Sequence, residues 1–499
     1  MNFTKLSLPK HIKNQISNRQ NGKNDLQICT RLPPEPSGGG LHLGHLFAAR
    51  LNQSVATVHN GKFLIRFDDT NPSSESKEYE QAILEDLIDC GFDMSNVSYT
   101  SDSFNFLIDK ATELVKLGWA YVDNSTHEDI SIQRKNLTGS KCRDQSVEEN
   151  LELWNGMLNC NKISGFNKKF ILRLKAYPDS KNGAMRDPIL YRYVDEIHYR
   201  TGNKYTIYPT YDFACPILDS SDGVTHVFRS KEYVERDEQM KFILNKLNMR
   251  IPKVLTYGRI NVENSELSKR KIKEGIRLGI YSGWDDKKLF TYRGMKNRGI
   301  SLSAINKLLD DIGFPETSIT IQQQKIFTIN TKIIDKFAHR IIAIKNENQK
   351  IINLELDQNE KEKIIYNFTG NKDLGERKCV ISKKIILDKT EVDLIEDSEE
   401  ITLINIGNVI YHKPNILQPY FEGNPSTTSK KVLWLNPSHI TSVKLEMLDG
   451  TLESYVIESH IENIKVDEYV CVNKIGYFYA KQNKPTDNEN SKEIILVKI

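Results

Sequence analysis

The sequence predicts an α/β protein with a parallel sheet in its first half and an all-β region in its last third. Three observations predict it. Short apolar runs alternate with helical stretches up to about residue 100, and again over 205–260. The best of these runs, 63–67, is largely apolar, as in a parallel strand covered on both faces. The last third changes to period-two alternation broken by turn residues.

In chain order, residues 1–25 read as a solvated arm, because Lys5, Lys10, Lys13, Arg19 and Lys23 have no acid among them. Pro9 interrupts any presequence-like helix, and there is no secretory apolar core. Leu26 and Ile28 begin a strand that runs into Arg31. A helix is predicted from about Leu43 to Val58, and a second strand over 63–67. After Pro72 another helix carries Tyr79, Ile83, Leu84, Leu87 and Ile88 on one face and stops near Gly91. Residues 101–204 are mixed, and their basic cluster of Lys168, Lys169, Arg173 and Lys175 reads as a solvated face. Residues 263–335 are helical, and basic at the start. Beyond them, 442–447 and 451–457 alternate around Asp449-Gly450, a hairpin signal. Further strand-like runs fall at 384–387, 401–406 and 475–479. The switch near 335 marks a domain boundary.

Composition narrows the function. Lys and Arg total 69 against 66 Asp and Glu, a formal net charge of +3, which singles out no partner. No apolar run approaches the ~20 residues of a membrane span. Seven cysteines, at 29, 90, 142, 160, 215, 379 and 471, include no pair at C-x-x-C spacing. Neither a disulfide-linked partner nor a Cys-rich zinc site is expected, and a reducing compartment, the cytoplasm, fits.

The chemistry is concentrated in residues 33–45, Pro-Pro-Glu-Pro-Ser-Gly-Gly-Gly-Leu-His-Leu-Gly-His. A strand ends, a Pro-rich turn and glycines follow, and a helix opens on two histidines. Free N–H groups at such a helix start face anions. His42 and His45, three apart, share one face of the first turn and can donate hydrogen bonds to a phosphate whose charge grows. The segment is neither a P-loop nor G-x-G-x-x-G. Residues 266–271, Glu-Leu-Ser-Lys-Arg-Lys, add a lysine able to neutralise a departing pyrophosphate.

With these two segments the sequence resembles the class I aminoacyl-tRNA synthetases, within them the glutamyl/glutaminyl pair of archaeal/eukaryotic type. His42-Leu43-Gly44-His45 and Leu267-Ser268-Lys269-Arg270-Lys271 match the two class signatures. Arg31-Leu32-Pro33-Pro34-Glu35-Pro36, Arg66-Phe67-Asp68-Asp69-Thr70-Asn71-Pro72, Arg186-Asp187-Pro188, Tyr208-Pro209-Thr210-Tyr211-Asp212-Phe213 and Gly283-Trp284-Asp285-Asp286 match subgroup motifs. The glycine run is one residue longer than the family's usual Gly-Tyr-Leu-His, and Leu32 replaces the usual Phe.

The resemblance implies a Rossmann-like catalytic domain over 26–100 and 205–262, with an inserted acceptor-binding domain over 101–204. It further implies a helical stem-contact region over 263–335 and anticodon-binding barrels over 336–499, where Lys383, Lys384, Lys430 and Lys431 are candidate phosphate contacts. ATP, with Mg²⁺, and an amino acid would give an adenylate; the 2′-hydroxyl of the terminal tRNA adenosine would then take the acyl group. His42, His45 and Lys269 are the catalytic candidates, and Pro34, Glu35, Gly44, His45, Ser268 and Lys269 the ATP contacts. No metal ligand set and no zinc are expected. In the amino-acid pocket, Asp68 is expected to accept the α-amino group, Arg31 to reach the carboxylate end, and Tyr211 to hydrogen-bond the side chain. Arg229 stands where the glutaminyl branch keeps a Cys, and a guanidinium fork suits a side-chain carboxylate. The implied activity is a glutamate–tRNA ligase using L-glutamate and tRNA-Glu. The alternatives are a glutamine ligase on the same fold and an inactive tRNA-binding relative. Arg229 has a competing reading, an ion pair with Glu232. Nothing in the sequence indicates other synthetases or scaffold proteins as partners.

Overall fold

The computed structural model describes residues 8–17, 27–159, 169–459, 464–482 and 494–499; Lys5, Arg19, Lys23, Leu26 and Lys168 lie outside them. The described residues form two compact units, one drawn from 1–294 and 306–323, the other from 295–305 and 324–499.

The first unit opens with helix α1 (Lys10–Ser17), which corrects the expected solvated arm. Its Ile12 and Ile16, an i, i+4 pair in an otherwise polar segment, are both buried. Strands β1 (Cys29–Leu32), β2 (Lys62–Phe67) and β3 (Val97–Tyr99) pair in parallel, with Arg31 opposite Leu64 and Ile65 opposite Val97. Helices α2 (Leu43–Val58) and α3 (Lys77–Asp89) make the crossovers. Ile83 and Leu87 of α3 are buried as expected, whereas Ile88 is 61% exposed, one step off the buried stripe.

Next come α4 (Phe104–Lys116), β4 (Ala120–Asp123), α5 (His127–Asn136), α6 (Val147–Leu158), β5 (Ile171–Leu174), β6 (Ile189–Tyr193) and β7 (Ile207–Pro209). The four strands form an antiparallel sheet in the order β4-β5-β6-β7. Leu107, Leu114, Trp154, Leu172 and Tyr191 share one core. Arg173 breaks the expected solvated basic face: its side chain is buried, and its Nη1 lies 2.7 Å from Asp123 Oδ2. A guanidinium inside a sheet needs such a carboxylate.

Parallel pairing returns with α7 (Tyr211–Ser221), β8 (His226–Ser230), α8 (Arg236–Lys246) and β9 (Lys253–Tyr257). The Thr225 N–H donates to the Cys29 carbonyl at 2.9 Å and ties β1 to the start of β8. Strand β10 (Ile260–Val262) and helix α9 (Lys269–Arg277) follow. The carboxyl ends of β1, β2 and β8 are where an open parallel sheet offers a ligand site.

In the second unit the strands start at His339, close to the predicted switch. Packing, however, draws in earlier helical residues. Asn330 accepts a hydrogen bond from the Ser301 N–H and donates one to the Gly299 carbonyl, each 2.9 Å long. The helical stretch 263–335 is therefore divided between the two units, because composition reports element type and not partner. Two seven-stranded sheets dominate this unit. One surrounds Ile352, Leu387, Val409 and Leu417; the other surrounds Ile341, Leu445, Val470 and Phe478. The expected hairpin pairs Ile440–Glu446 with Leu452–Glu458, and Asp449 Oδ1 accepts the Thr451 N–H at its tip. Of the four lysines read as phosphate contacts, Lys430 is spent on Glu399 at 2.6 Å.

Candidate active site

The loop after β1 is shaped by its glycines. A Cβ on Gly38 or Gly39 would lie 2.8 Å or 2.5 Å from the Trp284 ring, so the indole packs flat on bare backbone. Gly40 has φ +133°, a conformation costly to other residues. Beyond it, the Leu41 N–H donates to Asp86 Oδ2 at 2.8 Å, and Arg293 Nε holds Asp86 Oδ1 at 2.8 Å. The extra glycine of the run is thus accommodated under Trp284, within a motif already singled out.

Helix α2 is capped by imidazoles. His42 is the N-cap, and its Nδ1 accepts the N–H groups of Gly44 at 3.1 Å and His45 at 3.3 Å. In return His45 Nδ1 accepts the His42 N–H at 3.3 Å. The pair reproduces a capping box with rings in place of hydroxyl and carboxylate. The rings stack with centroids 3.6 Å apart. Burial, then the nearby Lys269 and Arg259 charges, push His42 down to about 3. Burial and the His42 and Lys269 charges hold His45 low as well. Both rings are neutral, and since each Nδ1 is an acceptor, each proton sits on Nε2.

Lys269 opens helix α9, and its Nζ donates to the Glu35 carbonyl at 2.6 Å. Burial lowers its pKa, against Glu35 and Glu75, which raise it. Glu266 shapes the preceding turn, its Oε1 accepting the N–H groups of Leu267 at 3.0 Å and Ser268 at 2.7 Å. A cavity of about 380 Å³ is lined by Pro34, Glu35, His45 and Lys269 together with Arg31, Asp68, Tyr211 and Arg229. Of the remaining expected residues, His42 and Gly44 stand at the α2 start beside His45, and Ser268 precedes Lys269.

Arg31 lines the cavity and also carries an ion pair. It is buried, with Nε 3.1 Å from Asp219 Oδ1 and Nη2 3.1 Å from Asp219 Oδ2. Arg66 Nη2 bonds to the same carboxylate. Burial alone would raise the Asp219 pKa, but Arg31 and Arg66 together hold it low. Arg31 Nε and Nη2 are thus engaged by a carboxylate 188 residues away, while the residue also lines the cavity. Asp219 carries no local signal, being one of two acids, with Asp222, at the end of an apolar helix.

Arg229 does not pair with Glu232, which bonds instead to Arg259 at 2.8 Å. Its Nη1 is 3.1 Å from Asp237 Oδ1 and its Nη2 3.5 Å from Met240 Sδ, while its Nε is buried without a hydrogen-bond partner. A buried donor without a partner is costly, and the residue that carries it lines the cavity. Asp68 follows β2; its N–H donates to the Pro34 carbonyl at 2.9 Å, and its Oδ1 accepts from Thr70 Oγ1 at 3.1 Å. Burial, then Glu35, push its carboxyl up to about 7. Tyr211 starts α7, and burial raises its hydroxyl pKa. Among the described residues no group of three or more His, Cys, Asp or Glu is arranged to hold a metal, and no helix is long and apolar enough to cross a membrane.

Comparison with known proteins adds the following. Residues 27–336 match the family model of tRNA synthetases class I (E and Q), catalytic domain, and residues 338–420 match that of the anti-codon binding domain. The bifunctional glutamate/proline--tRNA ligase of Mus musculus is 39% identical over 383 residues, 77% of this chain and 25% of that one. The chain thus spans about a quarter of the length of the bifunctional relatives it matches. The probable cytoplasmic glutamate--tRNA ligase of Enterocytozoon bieneusi is 35% identical over 497 residues, 92% of this chain and 76% of that one. The cytoplasmic glutamate--tRNA ligase of Saccharomyces cerevisiae is 36% identical over 493 residues, 92% and 69% of the two.

Proposed function

The chain belongs to the class I tRNA synthetases of the E and Q group, and from that premise we propose that it is a cytoplasmic glutamate–tRNA ligase. One observation carries the reading: a single cavity is lined at once by His45 and Lys269 and by Asp68, Tyr211 and Arg229. In this reading Asp68 takes the substrate ammonium and the Arg229 guanidinium takes the γ-carboxylate. Tyr211 hydrogen-bonds the glutamate side chain. The glutamate α-carboxylate oxygen attacks the α-phosphorus of ATP, the bond to the β-phosphate oxygen breaks, and pyrophosphate leaves. The Nε2–H groups of His42 and His45 stabilise the charge gathering on the α-phosphate oxygens, and Lys269 neutralises the leaving group. Mg²⁺ arrives with the triphosphate. The 2′-hydroxyl of the terminal tRNA adenosine then attacks the acyl carbon, and AMP departs. Positioning supplies much of the rate, since no covalent enzyme intermediate is required.

The test is aminoacylation of purified tRNA-Glu and tRNA-Gln with glutamate and with glutamine. Glutamate should be charged onto tRNA-Glu. Comparable charging with glutamine would transfer the reading to a glutamine ligase. Binding of tRNA with no charging at all would mark an inactive relative.

Asp68 makes the reading pH-dependent. With its carboxyl pushed up to about 7, the free protein holds a proton there that an unfolded chain, titrating near ~3.9, would release. Between those values the folded state binds more protons, so this group's contribution to stability falls as pH rises from about 4 through about 7. Ammonium capture has the opposite dependence, because it needs the carboxylate. The KM for glutamate in ATP–pyrophosphate exchange, at saturating ATP, should fall as pH rises from 6 to 8. Asp68→Asn should flatten that slope; an identical slope in parent and variant would exclude Asp68 as its source.

A further inference from the structure

The turn that carries Asp68 is pinned from three directions. The Asp68 N–H donates to the Pro34 carbonyl at 2.9 Å, and Asp69 Oδ1 accepts the Ser101 N–H at 2.9 Å. The third hold is an imidazole. His198 Nε2 lies 2.9 Å from the Asp69 carbonyl oxygen. His198 comes from the segment between β6 and β7 and is 1% exposed. Its Nδ1 accepts the N–H groups of Arg200 at 3.1 Å and Thr201 at 3.2 Å. The ring proton therefore sits on Nε2 and is donated to the Asp69 carbonyl. The ring itself is fixed edge-on to Phe104, centroids 5.7 Å apart, and parallel to Tyr208 at 5.8 Å. The Asp69 carboxylate does not take this proton, since its Oδ2 is 3.8 Å from Nε2.

From this geometry we propose that His198 is a positioning residue for amino-acid binding, its Nε2–H fixing the Asp69 carbonyl and so aiming the adjacent Asp68 carboxylate into the cavity. The assignment rests on the reading of Asp68 as the ammonium acceptor. Without its donor, a buried carbonyl rotates toward another partner. The peptide plane that turns with it carries the residue next to Asp68. A shift of about 1 Å at a contact group is enough to cost a site tenfold or more.

Two substitutions separate the two ring nitrogens. In His198→Asn the short amide can still accept from the 200–201 turn but falls short of the Asp69 carbonyl. In His198→Gln the longer amide places a donor where Nε2 was. With the full chain, initial rates of pyrophosphate exchange should give a glutamate KM raised about tenfold in His198→Asn, with the ATP KM within threefold of the parent. His198→Gln should restore the glutamate KM to within threefold. In an Asp68→Asn background, adding His198→Asn should change the glutamate KM less than twofold, because both act on one contact. An unchanged glutamate KM in His198→Asn overturns the assignment, as do glutamate and ATP KM values that rise together, a Gln variant no better than Asn, or additive effects in the double variant. A neutral Asp68→Asn overturns the reading of Asp68 itself. An enzyme sensitive to Asp68→Asn but indifferent to His198→Asn overturns the role of His198 alone.

Discussion

Arg229→Cys should cut the efficiency of tRNA-Glu charging with glutamate at least about a hundredfold. Glutamate and glutamine are nearly the same size, so charge must do most of the sorting. Arg229 lines the cavity, with Nη1 held by Asp237 and Nε buried without a partner. Removing the guanidinium leaves the γ-carboxylate buried and unpaired, a loss of ~3–5 kcal/mol, or roughly 10²–10³·⁵-fold. Asp237 is stranded by the same change, so Arg229→Cys/Asp237→Asn serves as the control. If the fork acts on substrate, relieving Asp237 will not bring glutamate use back. Glutamine use need not rise, since an amide requires its own placed donors and acceptors. Steady-state aminoacylation with each amino acid decides the matter. Glutamate efficiency within a few-fold of the parent would remove Arg229 as the specificity residue, and with it the main support for glutamate over glutamine.

A comparable loss is expected on the phosphate side. His42→Ala and His45→Ala should each slow adenylate formation by about 10²–10³-fold, the usual effect of deleting one donor to a developing oxyanion. Each histidine also caps helix α2 through Nδ1. Each alanine therefore carries a separate stability cost of about 1 kcal/mol. The two losses separate cleanly, because a missing cap lowers the melting temperature while a missing Nε2–H lowers the rate in the folded protein. Binding of tRNA should survive in both. Near-normal pyrophosphate exchange, assayed with tRNA present, would rule the histidines out as charge stabilisers.

What could be read in advance was local. The 16-residue span of α2 followed from its apolar period, its glycine-rich start and the histidine pair. The hairpin around Asp449-Gly450 followed from alternation on either side of a tight turn. What could not be read was who meets whom across the chain. The partner of Arg31, Asp219, is invisible in the sequence because it lies 188 residues away. Glu232 was matched to Arg229 by proximity in sequence, whereas the fold turns Glu232 to Arg259 and Arg229 to Asp237. Arg173 looked solvated because only the sheet register brings Asp123 to it. The division of the 263–335 helices between two units has the same origin, since Asn330 chooses its partners at 299–301 by packing, out of reach of periodicity.

The indole resting on Gly38 and Gly39 gives the protein a built-in optical gauge. The chain has four tryptophans. Trp154 and Trp434 are buried in two separate cores, Trp119 meets Phe242 edge-on, and Trp284 alone of the four lies against Gly38 and Gly39. Because its ring touches bare backbone, any ligand that shifts that loop must change the polarity around the indole, and so the colour and brightness of its emission. Titrating ATP while recording tryptophan emission therefore tests, on the unlabelled protein and without radiolabel, whether nucleotide shifts this loop.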